Sequence, residues 1–462
     1  MRLIQFLAGA VGLLANVCKA APSVSVVSNT QLDPEGIFFV SYDGVVNVNS
    51  FQLSAVLTYK NYQFAAWYTS TGTAILGRRK LPSGSWSTLQ LPHNLSTMDS
   101  HNAINLGVSP EDGKIHVALD CHSTSLFYTI SEANLATSGN SWVASRFAAI
   151  TSTLGTLNIG TEITYPQFVI TPQNLLQFVF RTGISGDGAT QLAEYSAGGW
   201  NNVGSWASAT GTYTAPDGAV STLRNLYIHG FTYHGERAYV SGTWREQNAA
   251  VSCSPEGLTN HDTIYIYSDD LGRTWFNNAS AQVGTSGTSP INVNTAGIIV
   301  DSLDADHGLM NQESQTVDST GLIHIIISYV PGRFTQCVEN YETVRPEFAR
   351  PFHLYQNPNG TFTKVEIPFF IQAVGRSQIL MDSEDNVYVI LPYVRVVTAS
   401  KATGWTDWTM VYNGTATALD AFGEVTLDRA RVPTGVASVL YQQNSTGTTP
   451  SAVKLIDFTL NG

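Results

Sequence analysis

The stretch MDSHNAINLGVSPEDGKIHVALDCHSTSLFYT at residues 98–129 contains two short apolar segments on either side of a turn. The segment 103–108 leads into a turn with proline, aspartate and glycine, and the segment 114–119 leads back. Apolar segments around such a turn predict a β-hairpin. His101 precedes the first strand and His122 follows the second, so we expect the hairpin to bring the two histidines together.

A similar strand recurs seven times along the chain, each time after a turn. The repeats start about 50–85 residues apart, which suits one four-stranded propeller blade with its loops. Charged residues are sparse, glycine and aromatic residues are frequent, and no stretch shows a sustained helical period. We therefore expect an all-β fold, a seven-bladed β-propeller with four-stranded antiparallel blades. The repeated strands are 62–68 (YQFAAWY), 115–120 (IHVALD), 176–181 (LQFVFR), 238–244 (AYVSGTW), 323–329 (IHIIISY), 387–393 (VYVILPY) and 437–441 (ASVLY).

Residues 1–20 predict a secretory signal peptide, with Arg2, an apolar run at 3–14 and a small residue, Ala20, before the expected cleavage point. The apolar run is too short to span a bilayer, and no later run approaches the required length. We therefore expect a secreted, extracellular monomer without a membrane partner, in which residues 21–462 form a single catalytic domain. Five N-glycosylation sequons fit this route: Asn94, Asn278, Asn359, Asn413 and Asn444.

Three cysteines remain after signal cleavage, Cys121, Cys253 and Cys337. An oxidising route favours a disulfide between Cys253 and Cys337, with Cys121 buried as a small hydrophobic residue. A structural zinc site that includes a histidine such as His261 is the alternative. We expect no catalytic cofactor or metal, and the sequence leaves open a structural metal ion in the central channel.

The chain is acidic, with a formal net charge of −12 and no run of lysine or arginine. A nucleic-acid partner is therefore not expected. An anionic substrate would be repelled at long range, so a site for one must gather the few cationic residues locally.

A propeller would bring several of these cations to one face, where the first strand of each blade starts and the second ends. Blades two and three would place His101, His122, Tyr165 and Arg181 there, on adjacent hairpins. A single histidine at a strand end is more often a hydrogen-bonded loop residue, and Arg181 could pair with Asp187. The joint placement of the four favours a functional site. Candidate substrate-binding residues near equivalent positions are Asn102, Arg224, Trp244, Arg245, His307, Asn311, Gln312, Arg333 and Arg376.

These residue types suit β-elimination at a 4-linked uronic acid. The reaction needs groups that neutralise the C6 carboxylate, a base for the C5 proton and an acid for the departing O4. Arginine and histidine can neutralise the carboxylate, while a histidine and a tyrosine can transfer the protons. A glycosidase would instead require two facing carboxylates, and the predicted positions hold no matched pair.

Four motifs resemble those of the seven-bladed propeller polysaccharide lyases: SHNAINLGV at 100–108, CH at 121–122, TYPQF at 164–168 and FRTGISGDG at 180–188. That group includes the ulvan lyases and the fungal L-rhamnose-α-1,4-D-glucuronate lyases that act on gum arabic. The secreted, sequon-bearing chain is more similar to the fungal enzymes. The resemblance implies an acidic polysaccharide substrate, with rhamnose as the leaving group and a 4,5-unsaturated glucuronate as the product.

The resemblance also implies roles for individual residues. His101 would be the C5 base and Tyr165 the acid for the leaving oxygen, although the order of the two is open. Arg181 and His122 would neutralise the carboxylate, and the substrate arginine of blade four is either Arg224 or Arg245. Alternative functions are an ulvan lyase, an α-L-rhamnosidase-type hydrolase on the same fold, and a non-catalytic propeller that binds glycans through aromatic residues such as Trp67 and Trp244.

Overall fold

Seven antiparallel sheets follow one another along the chain in the computed structural model, which describes residues 21–51 and 54–462. In blades one to six the order of strands in the sheet follows their order in the sequence, except that Ile299–Asp301 of blade four pairs with Asn260–Ser268. The predicted all-β, seven-bladed propeller is therefore confirmed. The predicted signal peptide, residues 1–20, lies outside the described residues.

The first three blades contain the two hairpins that carry the predicted catalytic residues. Blade one contains the strands Val56–Tyr59, Tyr62–Tyr68, Thr73–Lys80 and Ser87–Asn94. Blade two contains Asn105–Val108, Ile115–Leu119 and Phe127–Ile130. Blade three contains Ile163–Ile170, Leu176–Ile184, Asp187–Ser196 and Gly199–Ala207, with His122–Thr124 paired to its first strand.

The other four blades complete the ring. Blade four contains Arg224–His234, Arg237–Glu246, Asn260–Ser268, Thr274–Phe276 and Gln282–Thr285, with Ile299–Asp301 paired to its third strand. Blade five contains Ser314–Val317, Ile323–Tyr329, Arg350–Gln356 and Phe362–Glu366. Blade six contains Gln378–Met381, Val387–Leu391, Arg395–Ala399 and Thr409–Asn413. Blade seven contains Thr426–Leu427, Val436–Gln442, Ser451–Asn461 and, from the start of the chain, Ser23–Gly36.

Shorter elements lie in the loops between these strands. They are the hairpins Val40–Ser41 with Gly44–Val45 and Tyr213–Thr214 with Val220–Ser221, the α-helix Tyr341–Phe348, and the 3₁₀ turns Ala144–Arg146, Ala249–Val251, Ala305–His307, Lys401–Thr403, Gly414–Ala416 and Val432–Thr434. Among the described residues, no helix is long and apolar enough to cross a membrane.

The two ends of the described chain meet in blade seven. Ser23–Gly36 pairs antiparallel along Ser451–Asn461 and forms the outermost strand of that sheet. The ring is thus closed by main-chain hydrogen bonds between the two ends of the chain, a device that leaves only short edges in propellers.

Each repeated strand predicted from the sequence is the second strand of a blade. Ile323–Tyr329 and Val387–Leu391, for example, are buried along their whole length. Both faces of such a strand are covered, because each blade packs between two neighbours. Continuous apolar runs such as IHIIISY therefore replace the alternation of a one-sided sheet.

Cys253 and Cys337 form a disulfide with their Cα atoms 5.8 Å apart, the pairing predicted from the sequence. It joins the loop after the second strand of blade four to the corresponding loop of blade five. Cys121 is a buried free thiol. Neither cysteine of the disulfide can therefore bind the structural zinc ion of the alternative prediction. His261, the histidine named for that site, forms a hydrogen bond with Glu246.

The five predicted glycosylation sequons lie in different surroundings. Asn278 and Asn413 are half-buried, and the Asn278 amide donates a hydrogen bond to the carbonyl of Gly360. The exposed asparagines are Asn94, Asn359 and Asn444. Glycosylation itself stays a prediction.

Candidate functional site

The two histidines predicted to meet at the open end of the blade-two hairpin do so. The rings of His101 and His122 stack with their centroids 4.2 Å apart. The centroid of the Tyr165 ring lies 5.9 Å from that of His101, and the Arg181 guanidinium lies 5.2 Å from the Tyr165 ring. The structure therefore places all four predicted catalytic residues in one cluster, on the face where first strands start and second strands end.

Asp99 links the two histidines. One of its carboxylate oxygens lies 2.5 Å from His101 Nδ1 and the other lies 2.8 Å from His122 Nδ1. Burial acts to raise the pKa of Asp99, but the hydrogen bonds from His101 and His122 outweigh it and hold that pKa well below its ordinary value. An ionised carboxylate only accepts, so we assign the Nδ1 protons to both histidines, which leaves each Nε2 with a lone pair.

His101 is suited to the role of a base. Its ring stacks on Phe51 at 5.6 Å with the two planes 9° apart. Burial lowers the pKa of His101 below the usual 6.5, the bond to Asp99 opposes this shift, and the nearby His122 adds to it. The imidazole is consequently neutral at neutral pH and can accept a proton at Nε2.

Tyr165 is suited to the role of an acid. Burial and the neighbouring Tyr227 raise its pKa well above 10, although Arg181 acts in the opposite direction. The phenol therefore stays protonated near neutral pH. Its backbone is also unusual, because φ is +56° at a residue followed by Pro166. A non-glycine residue in this conformation is costly, and such residues cluster at functional sites.

Two arginines at the site have no acidic partner among the described residues. Arg181 donates to the hydroxyls of Tyr227 at 3.2 Å and Thr164 at 2.9 Å, while its buried Nε has no partner. Arg245 lines a small cavity together with Tyr165, Tyr227 and Tyr341. Cations without a carboxylate partner are suited to bind a carboxylate of a ligand.

The structure decides between the two candidate arginines of blade four. The predicted role for Arg224 in substrate binding is wrong, because Arg224 is fully buried and bound to Glu246 through two nitrogens, at 2.7 and 3.0 Å. Arg245 follows on the next strand of the same hairpin, opposite Asn225, and reaches the cavity.

Replacing Arg224 with alanine is expected to destabilise the fold by about 3–5 kcal/mol, since it leaves the Glu246 carboxylate buried without its partner. The exposed pair of Arg333 and Glu366 supplies a matched control, and Arg333→Ala is expected to cost less than about 1 kcal/mol. Thermal unfolding of both variants measures the difference. Equal melting temperatures would contradict the buried ion pair.

The other predicted substrate-binding residues divide into three groups. Arg376 and Asn311 line the cavity, and Arg376 donates to Glu424 and to the Asn311 carbonyl. Asn102 and Gln312 are buried beside it, and Asn102 donates to Asp120 and so supports the hairpin.

The third group, Trp244, His307 and Arg333, does not line the cavity. The predicted role of Trp244 in substrate binding is wrong, whereas those of His307 and Arg333 stay predictions. The Trp244 side chain is fully buried in the core between blades, and Trp67 of the lectin-like alternative is buried as well. His307 bonds to the Val330 carbonyl, and the exposed Arg333 is bound to Glu366. A position at the end of a strand therefore does not by itself show that a side chain reaches the cavity.

Several residues at the site were not assigned from the sequence, among them Asp99, Tyr227, Tyr42 and Tyr341. Asp99 could have been found from its spacing of two residues before His101. Tyr227 lies near the start of the first strand of blade four. Burial acts to raise the pKa of Tyr227, but the nearby Arg245 and Arg181 outweigh burial, and the pKa is lowered overall. Tyr42 and Tyr341 come from loops, where no sequence pattern indicates their position.

Asp99, His101 and His122 are also the group of described residues that could share a metal ion, with ligand atoms within 4.8 Å of one another. Their Nδ1 and carboxylate atoms satisfy one another by hydrogen bonds. The predicted absence of a catalytic cofactor stays a prediction.

Residues 62–369 match the BNR repeat-containing family. The chain belongs to this family. This BNR-repeat protein is similar to the long isoforms of the ulvan lyases from Pseudoalteromonas sp. (strain PLSV), at 27% identity over 406 residues, and Glaciecola sp. (strain KUL10), at 24% identity over 456 residues. The alignments cover 76% and 88% of the chain, but 38% and 42% of these relatives. The chain thus spans about two fifths of the length of the curated relatives that it matches.

Solved structures show the same fold. Polysaccharide lyase Uly1 is 18% identical with a TM-score of 0.70, covering 94% of the BNR-repeat protein and all of Uly1. A PL25 ulvan lyase bound to -[GlcA(1-4)Rha3S]- is 13% identical with a TM-score of 0.61, covering 92% of this chain and 95% of that one.

Proposed function

We propose that this BNR-repeat protein is a secreted polysaccharide lyase that acts by β-elimination on a polysaccharide containing rhamnose and glucuronate. The observation that carries the proposal is the site itself. Asp99 holds two histidines with free Nε2 atoms beside a protonated Tyr165, and Arg181 and Arg245 lack acidic partners among the described residues. The similarity to ulvan lyases supports this reaction class.

In the proposed reaction, Arg245 and Arg181 bind the C6 carboxylate of the glucuronate and stabilise the charge that develops on it. His101 Nε2 takes the proton from C5, and the electron pair left behind forms the C4–C5 double bond. The bond between C4 and O4 breaks, and Tyr165 donates its phenolic proton to O4. His122 gives its Nδ1 proton to the bond with Asp99 and has none on Nε2, so its predicted share in neutralising the carboxylate falls to the two arginines. Asp99 stabilises the imidazolium that forms on His101.

The carboxylates at the site favour a lyase over a hydrolase, because each is already bound to other side chains. Both oxygens of Asp99 bond to histidine Nδ1 atoms, and Glu424 is fully buried against Arg376. The residues that line the cavity include no carboxylate. Glycosidases commonly require two carboxyl groups that flank the scissile bond.

For the substrate we propose the unsulfated α-1,4 linkage of rhamnose to glucuronate, as in gum arabic. The predicted signal peptide and the sequons favour it, and Glu162 and Asp187 border the surface depression beside the end of the Arg181 strand. These acidic residues would repel a sulfated chain. Ulvan is the second candidate, favoured by the relatives and by the sulfated rhamnose in the ligand of the PL25 structure.

Incubation with gum arabic and, separately, with ulvan tests both candidates. We expect ultraviolet absorbance from the conjugated double bond to rise together with released rhamnose on gum arabic. Absorbance that rises only on ulvan would overturn the substrate but retain the reaction. Released rhamnose without absorbance would indicate hydrolysis and overturn the proposed function.

The pH dependence tests the role of His101. The unprotonated imidazole is the active form, so kcat/KM falls as the pH drops through the pKa of His101. Because burial lowers this pKa, we expect kcat/KM to stay constant down to about pH 6.5 and to fall only in more acidic solution. A rate profile over pH values of about 4–9 measures this limb. A decline centred above pH 6.5 would contradict a neutral, buried base.

A further inference from the structure

Two tyrosine rings, those of Tyr42 and Tyr341, line the same cavity as His101, Tyr165 and Arg245. The ring centroids of Tyr42 and Tyr341 lie 6.1 Å apart with the planes at 28°, and Tyr42 is also 6.3 Å from the ring of His101. This cavity has a volume of about 30 Å³. Ligand pockets usually enclose about 300–1,000 Å³. A sugar ring therefore fits this cavity only if side chains that line it move, and Tyr42 is an exposed one.

The ring of Tyr341 packs against buried side chains. It packs against a small apolar cluster formed by Leu258, Met310 and Val374. These three residues come from the loops of blades four, five and six. Tyr341 thus lines the cavity while it packs against three loops and stacks on Tyr42.

The backbone that carries Tyr341 is fixed as well. Tyr341 is the first residue of its helix, whose amides at Glu342 and Thr343 donate to the Asn340 side chain. Arg345, one turn further on, is fully buried and donates to the carbonyls of Gly308, Ser328 and Val374. The disulfide between Cys253 and Cys337 joins the preceding segment to blade four. Tyr341 is therefore the stationary member of the pair.

Tyr42 lies at the tip of the hairpin formed by Val40–Ser41 and Gly44–Val45, and its side chain is 43% exposed. Tyr42 and Asp43 have φ values of +54° and +64°, and the Asp43 carboxylate accepts a hydrogen bond from Val374 N. The hairpin backbone is thus held in place. An exposed side chain on a fixed backbone can change rotamer in picoseconds to nanoseconds, so we expect the pair to separate by rotation of Tyr42.

We propose, on the basis of the function proposed above, that Tyr341 is the stacking surface for the sugar linked to O4 of the glucuronate, and that Tyr42 covers this surface until the sugar displaces it. Aromatic faces commonly supply such contacts because they offer a large apolar area with few torsions to fix. A protein that must first uncover its binding surface shows an apparent affinity reduced by the fraction that is uncovered. Tyr42 and Tyr341 would then have opposite effects on binding.

Calorimetric titration with a rhamnose-terminated glucuronate oligosaccharide from gum arabic tests this proposal in a Tyr165→Phe background, where turnover is slow. We expect Tyr341→Ala to weaken binding about three- to tenfold and Tyr42→Ala to strengthen it severalfold. Tyr59→Ala is the matched control, because Tyr59 lies at the first turn of blade one, away from the site face, and is expected to leave the affinity unchanged.

Steady-state kinetics in the otherwise wild-type protein provides a second measurement. Tyr341→Ala should raise KM and leave kcat within about twofold, whereas Tyr42→Ala should lower KM. Unchanged affinity in Tyr341→Ala, or weaker binding in Tyr42→Ala, would overturn the proposal. A wild-type protein without elimination activity on gum arabic or ulvan would instead overturn the proposed function, so the two failures are distinguishable.

Discussion

Tyr165→Phe is expected to lower kcat on gum arabic by about 10²–10⁴-fold, with little change in the affinity for the substrate. The substitution removes only the phenolic oxygen, so the ring keeps its contacts with Phe51 and Tyr227. O4 would then have to leave as an alkoxide without a proton donor, and general acid catalysis typically contributes a factor of this size. Ultraviolet absorbance measures the rate, and calorimetry measures the binding.

Tyr227→Phe is the matched control for this result. Tyr227 accepts a hydrogen bond from Arg181 at 3.2 Å and its ring lies 5.8 Å from that of Tyr165. We expect its loss to reduce kcat/KM modestly, because Arg181 would lose one of the groups that orient it. A large loss in Tyr227→Phe together with an active Tyr165→Phe would show that Tyr227 is the acid, and would contradict our assignment.

Asp99→Asn is expected to lower kcat by about 10²–10³-fold. The carboxylate accepts from the Nδ1 atoms of both His101 and His122, and so fixes the tautomer that leaves Nε2 free. An asparagine amide can accept at its oxygen but must donate at its nitrogen, so it can satisfy only one histidine in this state. It also cannot stabilise the imidazolium that forms when His101 takes the C5 proton.

Asp187→Asn is the control for the loss of one negative charge near the site. Asp187 borders the depression beside the Arg181 strand. In the part of the chain that the structure describes, it forms no hydrogen bond or ion pair with His101 or His122. Its replacement should leave kcat within about twofold. If Asp99→Asn and Asp187→Asn had equally small effects, the hydrogen bonds of Asp99 would not be needed for the reaction, and the tautomer argument would fail.

The sequence predicted some residues of this site and missed others. His101, His122, Tyr165 and Arg181 were predicted because they lie at the open ends of hairpins, where main-chain pairing fixes which residues meet. That pairing is local in the sequence. The residues whose position depends on packing between distant loops, such as Tyr42 and Tyr341, had no comparable signal.

Arg224 and Trp244 show why a strand-end position alone was insufficient. Successive residues of a strand point to opposite faces, so two neighbours on one strand can end in different environments. Trp244 turns into the core between blades, while Arg245, the next residue, reaches the cavity. Arg224 is retained in the interior by Glu246, 22 residues away on the paired strand, and the sequence does not reveal that partner.

The sequence by itself determined the seven-bladed architecture and the meeting of four predicted catalytic residues, because both follow from repeated hairpins whose partners are neighbours in the chain. The tertiary structure alone decided which cations remain free to bind a carboxylate, how Asp99 sets the protonation of the two histidines, and that two tyrosines from distant loops line the cavity. Those features depend on the burial and hydrogen bonding of side chains from different blades, whose relative positions arise only when the ring closes.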